Sequence, residues 1–134
     1  MNSQSSDKPF IFNEKIDIQC INDLYGDDYV YIEEVFGTVL TEYKMLAENI
    51  TSSYTSQNIP ALKSAVHKIK PIFGFVGLTI IQQQCQDFED LCQGASSFDL
   101  LANDFNELND NLIKSKSLIE EEKRKLELFN RQHA

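Results

Sequence analysis

Phe98, Phe105, Leu112, Ile119 and Leu126 recur every seven residues along the C-terminal part of the chain, with Leu101 and Leu108 beside them. Residues seven apart share one face of a helix, so this stripe is a seam that other helices must cover. Past Leu118 the sequence becomes Glu120-Glu121-Glu122-Lys123-Arg124-Lys125, whose i,i+3 and i,i+4 charge pairs support an exposed helix. That end is expected to protrude beyond the body. The chain is read as a monomer, with a coiled-coil dimer contact as the alternative.

The preceding segments supply the covering helices. Ile16 to Leu24 reads as a short helix closed by Tyr25-Gly26, after which Asp27 or Asp28 caps the next. That helix should run from about Asp28 to Ser52, because Tyr29, Ile32, Val35, Phe36, Val39, Leu40, Tyr43, Leu46 and Ile50 recur at three- and four-residue steps. Gly37 lies inside it, as a site of close helix packing. Thr51 to Gln57 reads as a connection, and Asn58 as the cap of a helix with Pro60 in its first turn. Gly77 is expected to end that helix. Leu78, Ile81, Cys85, Phe88 and Cys92 mark the next one, to about Gln93, and Gly94 to Ser97 turns the chain. No strand pattern competes. The expected fold is all-α: an antiparallel up-down four-helix bundle with an additional short N-terminal helix and a long C-terminal helix.

With 134 residues the chain is long enough for one domain with a real core, assigned to residues 10–131 after a polar, disordered tail over residues 1–9. Phe10-Ile11-Phe12 is an apolar patch that could tuck against the body. Cys20, Cys85 and Cys92 are odd in number, and the latter two lie on an apolar stripe, so they read as core thiols in a reducing compartment. The N-terminus has neither the basic start nor the apolar run of a signal peptide. No segment approaches eighteen consecutive apolar residues, so no membrane span is expected. A pI near 4.6 argues against nucleic acid.

Charge points to one place. No Asp or Glu occurs from Asn49 through Gln86, while Lys63, Lys68 and Lys70 give that tract +3 in a chain of net charge −9. Leu62, Ala65, Val66, Ile69, Ile72, Phe73 and Val76 form its core-facing stripe. His67 is off that stripe, among the lysines, with Ser64 and Gly74 leaving room around it. A helical histidine is ordinarily a solvated surface residue. Confinement of cations around this one suits an imidazole that accepts and holds a phosphoryl group.

His67-Lys68-Ile69-Lys70, with Gly77 ten residues beyond the histidine, resembles the His-x-x-Lys…Gly core of histidine-containing phosphotransfer (HPt) domains. The resemblance runs from about Leu24-Tyr25-Gly26-Asp27 to Phe88-Glu89. It departs at Pro71, where the family usually has glycine, and Glu89 stands where relatives carry Glu or Gln. It implies a phosphorelay intermediate in two-component signalling, in which His67 takes a phosphoryl group from a receiver-domain aspartate and passes it to another receiver. Receiver domains and a hybrid histidine kinase would be the partners. The receiver would bring Mg²⁺, so the chain needs no cofactor or metal of its own, and the location would be cytoplasmic.

The residues fit that chemistry. A neutral imidazole is already nucleophilic, and Lys63, Lys68 and Lys70 should disfavour the imidazolium. Lys70, one turn from His67 on an exposed face, is best placed to neutralise phosphoryl oxygens. Antiparallel helices about Gly77 put His67 opposite Gln86 to Glu89, so Gln86 or Glu89 could hydrogen-bond the second ring nitrogen. Both being merely solvated is the alternative. Pro71 removes the N–H that would meet the His67 carbonyl, which either bends the helix, keeps the approach to the histidine compact, or does both. No Glu-x-x-His pair and no phosphate-binding glycine loop are present, which excludes a bundle di-metal centre and a nucleotide site.

A docking partner needs apolar surface as well as charge. Ile18, Ile21, Leu24, Tyr29 and Ile32 are the candidates, with two or three expected to be exposed beside the histidine and the rest core. The rival readings are a helical adaptor that binds a receiver or kinase without being phosphorylated, and a piece of a larger kinase.

Overall fold

A computed structural model describes residues 10–134; the tail read over residues 1–9 lies outside them. The helices are α1 (Ile18–Tyr25), α2 (Tyr29–Thr55), α3 (Ile59–Phe75), α4 (Thr79–Gly94) and α5 (Ala102–Gln132), the last preceded by a 3₁₀ turn at Phe98–Leu101. α2 packs on α3 and α5, and α4 packs on the same two, so the four close into an up-down bundle. Phe105, Leu112, Ile119 and Leu126 of the heptad stripe are buried, as are Leu101 and Leu108. No helix among the described residues is long and apolar enough to cross a membrane.

Local chemistry sets the boundaries. The Asp17 carboxylate accepts the Gln19 and Cys20 amides and caps α1. Asp28, not Asp27, caps α2 through the Tyr31 amide, and Asn58 caps α3 through the Ala61 amide. α2 continues to Thr55, a turn beyond the expected end. The Thr51 hydroxyl bonds back to the Ala47 carbonyl, and Tyr54 stacks on Phe105 at 3.8 Å, so tertiary packing holds a serine- and threonine-rich run helical. α3 ends at Phe75. Gly77, at φ +74°, makes the turn that follows, and a Cβ there would stand 2.9 Å from Ile16 Cγ2.

α1 is fastened across that turn. The Asp17 amide donates to the Gly77 carbonyl at 2.8 Å, and the Tyr25 hydroxyl donates to the Phe75 carbonyl at 2.7 Å. Cys20 is half-buried beside the Gly74 carbonyl. Burial pushes the Cys85 thiol up to about 12 and the Cys92 thiol up to about 11, so both remain protonated in the core.

The C-terminal end does not protrude. α2 and α5, at 27 and 31 residues, outrun α3 and α4, at 17 and 16. At 1.5 Å per residue that is an overhang of roughly 15–20 Å. The segment before α1 covers it: Phe10 packs edge-on against Phe129 and contacts Tyr29, and Phe12 packs on Phe36. Leu126 is wholly buried, and so is Glu122, whose carboxylate accepts the Asn13 amide at 2.7 Å and meets Lys125 at 2.8 Å. The Asn130 side chain donates to the Tyr29 carbonyl. On α2, a Cβ at Gly37 would stand 3.2 Å from Lys123 Cε, so the two long helices approach closely.

This cover should carry stability. Phe10→Ala is expected to cost about 3 kcal/mol, the low end for truncating a buried aromatic. Chemical denaturation would show it as a lowered midpoint, and an unchanged midpoint would mean that the arm does not hold the overhang.

Candidate functional site

α3 and α4 meet along a seam with one charged side chain inside it. Glu89 is buried, yet its carboxylate joins two groups from the neighbouring helix. Oε1 stands 2.8 Å from His67 Nδ1, and Oε2 stands 2.8 Å from Lys70 Nζ. The Lys70 contact is an ion pair set off the line of a good hydrogen bond; the ammonium instead donates to Gln86 Oε1 at 2.6 Å. Gln86 Nε2 donates to Asp90 Oδ1 at 3.0 Å, which turns the amide so that its oxygen faces the lysine. Of the two residues expected opposite His67, Glu89 takes the imidazole and Gln86 takes the lysine.

Burial pushes the Glu89 carboxyl up. Close contact with the Lys70 ammonium and the hydrogen bond to His67 together outweigh that and hold it below the usual carboxylate range. An ionised carboxylate only accepts, so Nδ1 carries the proton, and in the neutral ring the lone pair is on Nε2. The ring itself is open, with its side chain 66% exposed. His67 is thus gripped from within and available from without.

The other expected site residues are distributed around this pair. Lys63 bonds Gln93 across the same seam, while Lys68 is exposed. Pro71 is exposed one turn beyond His67, and α3 runs through it to Phe75. The space at Gly74 is taken up by Gln82 of α4, whose Nε2 would stand 2.7 Å from a Cβ there. Lys70 is not on an exposed face as expected. Its side chain is only 17% exposed, because the buried carboxylate and Gln86 draw it against α4.

The docking candidates need correction. Ile21 and Ile32 are core residues, 1% and 0% exposed. A two-turn helix must spend one face on seating itself, and Ile21 does so against Gly77; Ile32 belongs to the main stripe of α2. Tyr29 is half-buried against Phe10 and Phe129. Ile18 is exposed but lies on the side of the N-terminal arm. Only Leu24 joins an exposed apolar patch near α3, and its neighbours there are Tyr31 and Phe75. Phe75 follows His67 by eight residues, about 12 Å along the helix. Sequence periodicity placed neither Tyr31 nor Phe75 in this patch; the exposed aromatic at the end of α3 was the available signal.

The site is thus an exposed imidazole braced by a buried carboxylate on the outside of a four-helix bundle. The Hpt domain family model matches residues 34–117, more than half of the chain, and the chain belongs to that family. Its role is therefore histidine phosphotransfer in a two-component phosphorelay. Among solved structures it is similar to the HPT domain of a sensor hybrid histidine kinase from Shewanella, with a TM-score of 0.67 and 18% identity over 80% of this chain and 92% of that one, a likeness of fold. A search of curated proteins gave no match.

The carboxylate predicts a pH signature. A carboxyl held below its ordinary value near 4.5 stabilises the fold fully above that value, and the contribution is lost as pH falls through the lower folded value. Thermal unfolding of the parent and of Glu89→Gln should therefore differ most near neutrality, and the gap should narrow as pH falls below 4.5. A gap that stays constant through that window would show that the charge of Glu89 does not stabilise the fold.

Proposed function

We propose that His67 Nε2 is the atom that carries the phosphoryl group, received from a receiver-domain aspartyl phosphate and returned to another receiver. The observation that supports this reading is the Glu89 contact at Nδ1, which fixes one tautomer and leaves one nucleophilic nitrogen. Transfer forms the N–P bond at Nε2 as the O–P bond to the aspartate breaks, and the carboxylate departs as an anion without needing a proton. The ring then bears positive charge with Nδ1 still protonated, and Glu89 is in place to stabilise it. Lys70, 2.8 Å from that same carboxylate, supplies the cation for the phosphoryl oxygens.

Phosphoryl transfer asks mainly for alignment and charge neutralisation. The partner would supply Mg²⁺ together with the aspartate, and the chain needs no cofactor of its own. Leu24, Tyr31 and Phe75 offer an apolar footing beside the basic site, so a receiver seated there would cover His67 and exclude water. A hybrid histidine kinase fits as the upstream source. The location that suits such partners is the cytoplasm, with the chain acting as a monomer.

Incubation with a phosphorylated receiver should yield acid-labile, base-stable phosphate on the protein, absent in His67→Gln. Persistent labelling of that variant would remove His67 from the reaction. Lys70→Ala should slow transfer, and it should also destabilise the fold by about 1–3 kcal/mol, because it leaves a buried carboxylate short of its cation. Equal transfer rates in the parent and Lys70→Ala at matched salt would take Lys70 out of the chemistry.

A further inference from the structure

The acid-free tract that surrounds His67 extends beyond the histidine into α4, where half of it faces another way. Gln82, Gln86, Glu89 and Gln93 turn toward α3, whereas Ile80, Ile81 and Gln84 line a groove against α5. The facing stretch of α5, Asn111 to Leu118, also lacks Asp and Glu and contains Lys114 and Lys116. Lys15, from the arm before α1, closes the third side. In a chain of net charge −9, a second seam has been kept clear of acids.

The groove encloses about 340 Å³, within the ~300–1,000 Å³ range of small-molecule sites. Ile81 and Leu118 contribute apolar wall, and Ile80 is 75% exposed at its edge, a large β-branched side chain left to solvent. Lys15 and Lys114 contribute charge. Among the described residues neither has a carboxylate at ion-pair distance, as is also true of Lys44, Lys63 and Lys68, but these two alone line the groove. Glu14, next to Lys15 in sequence, lines the hollow on the other side of the arm. Gln84 accepts from the Asn111 amide at 3.0 Å, and its own Nε2 has no partner among the described residues.

We propose that this α4–α5 groove binds a small amphipathic anion: an apolar body of ring or short-chain size carrying one carboxylate, with the body against Ile80, Ile81 and Leu118 and the head between Lys15 and Lys114. Two unpaired ammonium groups over an apolar floor favour that combination over a neutral apolar molecule, which would leave them without a counter-charge. A cation would meet Lys15 and Lys114. The ligand lies on the face of α4 opposite Glu89, so it leaves His67 open to its partners.

Titration of the full chain with octanoate, followed by amide NMR shifts, tests the site, with 1-octanol as the uncharged comparator. Saturable shifts should gather at Ile80, Ile81, Gln84 and Lys114 and leave His67 unmoved. Octanoate should bind about tenfold more tightly than 1-octanol, equivalent to about 1.4 kcal/mol. The double variant Lys15→Gln, Lys114→Gln, altered at surface positions, should lose that advantage and keep its affinity for the alcohol. The proposal is overturned by absence of saturation below micelle-forming concentrations, by equal octanoate affinity in the double variant, or by shifts centred on Leu24 and Phe75. Shifts at Ile80 that change on dilution without octanoate would also overturn it, by showing that a second copy of the chain occupies the groove.

Discussion

A buried carboxylate is costly unless it is compensated, and Glu89 is the one that the arrangement of α3 and α4 has to satisfy. Its two oxygens reach different groups on α3, three residues apart, so the helices are held in one register. Slide either helix by a turn and the charge loses both partners. The turn between them is correspondingly tight: Gly77 adopts a left-handed conformation and α1 is bonded over it. The same compensation that secures the seam fixes the orientation of the imidazole. Stability and nucleophile placement are here one interaction.

Length mismatch accounts for much of the remaining architecture. Two helices outrun two others, and an uncovered pair would expose Phe36, Leu126 and Phe129. The chain solves this before its first helix, with Phe10 and Phe12 laid into the overhang and Glu122 receiving the Asn13 amide. α1 then has nowhere to sit but over the α3–α4 turn. That position brings Leu24 next to Phe75 and creates the apolar patch at the end of α3.

The sequence carried the helices, their caps and the histidine because each rests on local chemistry: heptad spacing, Asp28 and Asn58 as caps, His67 standing off its own stripe. Equal rise along an antiparallel pair was also enough to place Gln86 to Glu89 opposite His67. What could not be read was which polar side chains go inside. Glu89 and Glu122 look alike in sequence to solvated neighbours such as Asp90 and Glu121, and only the third dimension shows that one meets Lys70 and the other Asn13. Which of the docking candidates would be exposed was hidden for the same reason. Ile21 and Ile32 are as apolar as Leu24, but exposure depends on where α1 lands, and the thread that sets this runs through Gly77 and the N-terminal arm.

Lys70 illustrates how the site can change charge without breaking the core. Before transfer its ammonium compensates Glu89 and is tethered to Gln86. A phosphoryl group on Nε2 would draw that ammonium outward, which by itself would abandon a desolvated carboxylate at a cost of several kcal/mol. The proposed transfer would place positive charge on the imidazole, already 2.8 Å from Oε1. One cation would therefore arrive at Glu89 as the other came to be shared with the phosphoryl oxygens. For a phosphorylated ring a buried carboxylate would add what a buried amide lacks, since an amide holds the tautomer but has no charge with which to stabilise the cation.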